Sequence, residues 1–102
     1  MLANMQARQL LDRRVILTET AFVELVLWRL PETTAGRAHG YKYRLALISR
    51  GVCVMRYDNE RGKGDHVHIG EVERPYDFRG VDMLIEDFLA EAKEWLDANG
   101  NS

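Results

Sequence analysis

YKYRLALISRGVCVMRY, residues 41–57, decides the fold class. Its first half alternates: Tyr41, Tyr43, Leu45 and Leu47 share one face while Lys42 and Arg44 take the other, the two-residue period of a half-buried strand. Arg50-Gly51 then marks a tight turn, and VCVMRY returns as the partner strand. This is the clearest hairpin in the chain.

Upstream, residues 7–17 (ARQLLDRRVIL) run into a polar break, TET at 18–20, and then into AFVELVLWRL, whose β-branched and aromatic content suits a strand. The two should form a second antiparallel hairpin. Val23, Leu25 and Leu27 face one way and Phe22, Val26 and Trp28 the other, with Glu24 the exception, so a central strand apolar on both faces is expected. Pro31 and ETTAGRAHG end it, leaving residues 31–40 as a loop.

Downstream, Gly62 and Gly64 around Lys63 make residues 59–64 a hairpin loop leading into DHVHIG. EVERPYDFRG, residues 71–80, carries Pro75, which forbids a central strand and points to a connection. From Val81 the apolar positions 81, 84, 85, 88, 89, 92, 95 and 96 follow a helical period, with Asp82 in the first turn and Gly100 past the end. Asp82, Glu86, Asp87, Glu91, Lys93, Glu94 and Asp97 should face water. The expected architecture is α+β: an antiparallel meander of four or five strands with the C-terminal helix packed on one face. A single domain over residues 1–102 is expected, with its core at about 7–97 and frayed ends.

The 102 residues are 46% apolar and 29% charged, the composition of a folded chain. Residues 1–50 hold eight Lys/Arg and four Asp/Glu, the rest six and twelve, so a net charge of −2 conceals a basic and an acidic half. The basic half could meet a phosphate polymer or an acidic partner, or could simply be a solvated surface. A lone cysteine, no apolar leader, and apolar runs broken by Glu24, Arg29, Arg44 and Arg56 argue for a cytoplasmic protein with no membrane span. Cys53 is expected to be a buried small hydrophobe, and Trp28 and Trp95 to be core residues.

Chemistry concentrates in YDNERGKGDHVHIG, residues 57–70. If Val67 and Ile69 point to the core, His66 and His68 share the other face with alpha carbons about 6.6 Å apart, close enough to bracket one phosphate or one metal ion. Ribonucleolytic cleavage needs a group to take the 2′-hydroxyl proton, another to protonate the leaving oxygen, and cations beside the charged phosphorane. Histidine suits both proton roles; Lys63, Arg56 and Arg44 can supply the cations. Tyr57 and Asn59 would position substrate. Asp58 can reach over the loop, whereas Asp65 lies on the far side of a regular strand; both carboxylates join Arg44 in the candidate substrate-binding set.

Two other readings of the stretch stand beside that one. The histidines could ligate a metal with His39, Asp58 or Asp65 as third ligand, giving a metal-dependent nuclease or hydrolase. They could also merely solubilise a hairpin, leaving a non-enzymatic module that blocks a nucleic-acid or protein target. The preferred reading needs neither cofactor nor metal. The Gly-Lys-Gly core lacks the remaining residues of a nucleoside-triphosphate loop.

The order FVELVLWRLP, YKYRLALI, VCVMRYDNERGKGDHVHIGE, PYDF and LIEDFLAEA resembles the TumE family, the toxin half of bacterial toxin-antitoxin pairs. The likeness spans residues 21–92 and is most specific in RYDNERGKGDHVH, where Arg56, Tyr57, Asp58, Asn59, Lys63, Gly64, Asp65, His66 and His68 match. Where the family often has Asp-Gly in the first hairpin turn, this chain has Thr18-Glu19-Thr20. The resemblance implies a cytoplasmic bacterial toxin restrained by a cognate antitoxin, usually a helix-turn-helix DNA-binding protein encoded beside it. RNA cleavage is the common expectation for a toxin of this size. RNA is then the expected target, and a homodimer is compatible with the sequence.

Overall fold

Among the described residues, alternating sequence gives six consecutive strands, followed by one helix: β1 (Arg8–Ile16), β2 (Ala21–Arg29), β3 (Tyr41–Ser49), β4 (Val52–Glu60), β5 (Gly64–Ile69), β6 (Val72–Pro75) and α1 (Val81–Ala98). The computed structural model describes residues 6–31, 39–60 and 62–100. The strands form one antiparallel sheet in chain order, β1-β2-β3-β4-β5-β6. The class is the α+β meander read from the sequence, but with six strands instead of four or five. The additional strand is β6. Proline is excluded from central ladders only, and Pro75 closes a strand that lies at the edge of the sheet.

Leu84, Phe88, Ala92 and Leu96 form the buried stripe of α1, and it packs against Val23, Leu25, Leu27, Tyr43, Leu45, Leu47, Met55, Tyr57 and Val67. Trp95 packs at the margin of that core. Leu89, on the expected apolar stripe, stays 40% exposed. Asp87 and Glu91, read as water-facing, instead fasten the helix, Asp87 to the segment that follows β6 and Glu91 to the sheet. The Tyr76 hydroxyl and Arg79 each donate to Asp87 at 2.6 Å. Glu91 accepts from the Tyr57 hydroxyl and, at 2.8 Å, from Arg74.

These contacts favour neutral phenols. Burial, reinforced by Glu91, raises the Tyr57 pKa above the ordinary tyrosine value. Burial and Asp87 push Tyr76 up to about 12. A folded-state pKa above the unfolded one gives stability that is complete below the unfolded value and is lost as pH rises through the folded value. Denaturant midpoints followed against pH should therefore hold below about pH 10 and fall steeply above it. In a Tyr41→Phe variant, which leaves only the phenols bound to carboxylates, phenolate absorbance should rise together with unfolding; a phenolate signal gained in the intact fold would contradict this account.

The helix covers one face only. On β1 just Leu11 is half-buried, and Ile16 is 68% exposed. Among the described residues nothing forms a second layer on the opposite face of the sheet, and Phe22, Val26 and Trp28, read as a second buried face of β2, are only half-buried. Trp28 is thus not a core residue. Cys53 also departs from expectation, for a local reason. The Arg50-Gly51 turn has positive φ at both residues, 53° and 79°, and sets Ile48 opposite Cys53; one residue later the register slips, so that Leu47 pairs with Met55. Val54 is the extra residue of a bulge. A one-residue insertion reverses the facing of what precedes it, which leaves Cys53 exposed on the bare face. Among the described residues, no helix is long and apolar enough to cross a membrane.

Candidate active site on the open face of the sheet

On β5 the alternation holds: Val67 is buried and its neighbours His66 and His68 turn to the uncovered face. Their ring centroids lie 6.3 Å apart with planes at 48°, and their side chains keep 19% and 28% of their accessible surface. Strand pairing sets Asp58 opposite His66, Arg56 opposite His68, and Glu73 of β6 opposite His68 on its other side.

The polar contacts follow from this lattice. His66 Nε2–H donates to the Lys63 carbonyl at 2.8 Å, a bond that assigns the proton to Nε2 and leaves Nδ1 turned to Glu73 Oε2 at 3.3 Å. His68 Nε2 lies 3.6 Å from Asp58 Oδ1 and 3.8 Å from the same Glu73 oxygen. Asp58 Oδ2 meanwhile accepts from Arg56 Nε at 2.9 Å. Two imidazoles, two carboxylates and a guanidinium thus share one water-accessible patch, with the exposed Lys63 in the adjoining turn. Such a group can relay protons and hold an anion. Arg44, opposite Asp58, is half exposed and 3.9 Å from Glu24. It borders a groove of about 540 Å³ lined by Val26, Trp28, Lys42, Asp58 and Glu60, among others.

Three residues expected at the substrate lie elsewhere. Tyr57 is 2% exposed and belongs to the core. Asn59 is 3% exposed; its amide donates to the Tyr41 carbonyl at 2.8 Å and accepts the Tyr43 N–H at 3.1 Å, standing in for ladder bonds where the β3–β4 pairing ends. Asp65 sits on the helix side of the sheet, accepting from the Tyr43 hydroxyl at 2.6 Å and from His39 Nε2–H at 2.8 Å. The His39 ring lies on Phe78 at 3.7 Å, and its Nδ1 accepts the Tyr41 N–H. Burial, with Asp65 adding to it, raises the Tyr43 pKa.

The sheet therefore separates His39 and Asp65 from the histidine pair, and of the candidate third metal ligands only Asp58 shares its face. Among the described residues, no group of three or more His, Cys, Asp or Glu side chains is arranged to hold a metal ion. Sequence reasoning missed Glu73, which lay in the supposed connection. Its signal was Gly70: Ile69 pairs with Val72 across Gly70-Glu71, a two-residue hairpin, with Gly70 at φ 59°.

Compared with known proteins, the chain matches the family model described as Toxin TumE over residues 5–96. No curated protein and no solved structure gives a significant match.

Proposed function

The chain belongs to the Toxin TumE family, and from that premise we propose that it is an endoribonuclease that needs no metal and whose reaction centre is the His66–His68 pair. Family membership carries a toxin role and implies an antitoxin partner. The finer reading rests on one observation: two partly accessible imidazoles 6.3 Å apart on the sheet face away from the helix, with carboxylates and Arg56 around them.

In this reading the 2′-oxygen attacks the adjacent phosphorus while His68 accepts its proton. The bond from phosphorus to the 5′-oxygen breaks, and His66 delivers a proton to that oxygen, leaving a cyclic phosphate. His66 is assigned the acid role because the Lys63 carbonyl holds its Nε2–H, so the proton in motion is the one at Nδ1, beside Glu73. Asp58 and Glu73 orient the rings. Arg56, Lys63 and Arg44 meet the negative charge of the phosphorane and of the neighbouring phosphate, a contribution often larger than proton transfer itself. The setting is the bacterial cytoplasm, and the restraining partner a helix-turn-helix antitoxin.

Replacing both histidines by alanine should reduce RNA cleavage by about 10³-fold or more, since general acid–base groups contribute roughly 10²–10⁴ each. It should also abolish growth inhibition while leaving the thermal transition in place, because neither ring is part of the core. Cleavage by the parent protein should persist with a chelator present. Toxicity retained in the folded double variant would reject the assignment.

A further inference from the structure

Trp28 has an apolar residue's place in the sequence pattern and a groove-lining place in the fold. It is half-buried on the bare side of β2, and its cross-strand neighbours are Gln9 and Lys42. Two other aromatic rings are covered by guanidinium groups: Arg14 lies 4.5 Å from the Phe22 centroid and Arg29 5.1 Å from that of Tyr41. Among the described residues, no such cation covers Trp28. Instead its ring forms a wall of the groove of about 540 Å³ that continues past Lys42 and Arg44 to Asp58, the residue opposite His66.

We propose that Trp28 is a stacking platform for one unpaired base of a single-stranded RNA, a reading that rests on the RNA-cleaving assignment of the same face. An indole offers a flat apolar surface to any base, and such stacking tolerates sequence. Its surroundings supply what the rest of a nucleotide needs. Lys42 Nζ, 3.4 Å from the Asn59 carbonyl, stands beside the ring as a cation for phosphate. Arg44 is the next cation on the same strand face, with Glu24 at 3.9 Å as its ion-pair partner among the described residues. Gln9 and Glu60 provide an amide and an acceptor for base edges. Asp58, the other acid of the groove, is already held by Arg56.

Geometry places this base away from the scissile bond. β2 and β5 are three strand spacings apart, roughly 14 Å, so the stacked base lies beyond the nucleotides flanking the cleaved phosphate. Bases in a duplex are stacked on one another and unavailable, so the subsite selects single strands.

The test uses the His66→Ala/His68→Ala protein, so that binding is measured without cleavage, and a fluorescently labelled single-stranded RNA oligonucleotide. Adding Trp28→Ala should weaken its affinity about ten- to hundredfold. Trp28→Phe, which keeps an aromatic face, should retain most of it, and in the unlabelled system RNA should quench the fluorescence of Trp28. Thermal transitions of both variants check the fold. Equal affinity of the Trp28→Ala and parent proteins overturns the platform whether or not RNA is cleaved. Active RNA cleavage by the histidine double variant would instead remove the catalytic assignment while the dependence of binding on Trp28 stays readable. Should the parent bind no RNA, both readings fall. Trp28→Ala weakening capture of a co-expressed antitoxin, with RNA affinity intact, would make the groove a protein-docking surface and overturn the platform.

Discussion

Phe88→Ala should lower the unfolding free energy by about 3–5 kcal/mol, the usual cost of removing a large aromatic side chain from a packed core. Phe88 is fully buried at the middle of the α1 stripe. Its ring meets Tyr57 edge to face, centroids 5.4 Å apart at 83°. The alanine would leave a void between helix and sheet, and would loosen the ring whose hydroxyl is bound to Glu91. Native domains are stable by only about 5–15 kcal/mol, so this one change should remove a large share of the total. Denaturant titration measures it; a loss under about 1.5 kcal/mol would mean that α1 is not the principal cover of the sheet.

The second large effect is at Asp65, and there the choice of substitution separates structure from chemistry. Asp65→Ala removes the acceptor of both the Tyr43 hydroxyl and the His39 ring, leaving two largely buried donors unpaired. Each such group costs about 1–3 kcal/mol, so a combined loss of about 2–5 kcal/mol is expected. Asp65→Asn, which keeps one acceptor oxygen in place, should recover part of it. If the histidine face cleaves RNA as proposed, then at a temperature below every transition folded Asp65→Asn should cleave it at nearly the parental rate, whereas Asp58→Asn, altered on that face, should not. A strong rate defect in folded Asp65→Asn, with the melting temperature unchanged, would contradict the division between the two sides of the sheet.

Asp65 and Asp58 also show how far the sequence could be read. Period-two alternation at Tyr41, Tyr43, Leu45 and Leu47, and the helical series from Val81, mark elements whose facing is set by burial, and these appear where the pattern puts them. The same alternation sent Val67 inward, which was enough to bring His66 and His68 together on the other side. What alternation does not encode is which of two apolar faces the helix will cover. Trp28 and Val23 lie on opposite sides of β2, both apolar, and only the position of α1 makes one core and the other surface.

Register was the second illegible quantity. The bulge at Val54 has no glycine or proline to announce it, yet it decides that Cys53 meets water. Tyr57 and Asn59 alternate with Arg56 and Asp58, so half of any polar run on a strand must point inward; their polarity drew attention that their parity did not support. Asn59 is inward and still polar because the β3 backbone beside it has no further β4 partner, a circumstance visible only once the ladder is traced. Glu73 was hidden because Pro75 argued against a strand, although that argument never reached an edge.

The strictly sequential order of the sheet bears on how the protein comes to exist as a working molecule. Each strand finds its partner in the one just synthesised, so strand pairing never has to wait for a segment further along the chain. The cluster around His66 draws on β4, β5 and β6, three neighbours in line, and can be assembled with no distant segment brought in. Its permanence is another matter, because α1 comes after all six strands and supplies the buried stripe that packs on them. Until that helix arrives, the nascent meander has water on both sides, and the arrangement that would confer toxicity stays transient.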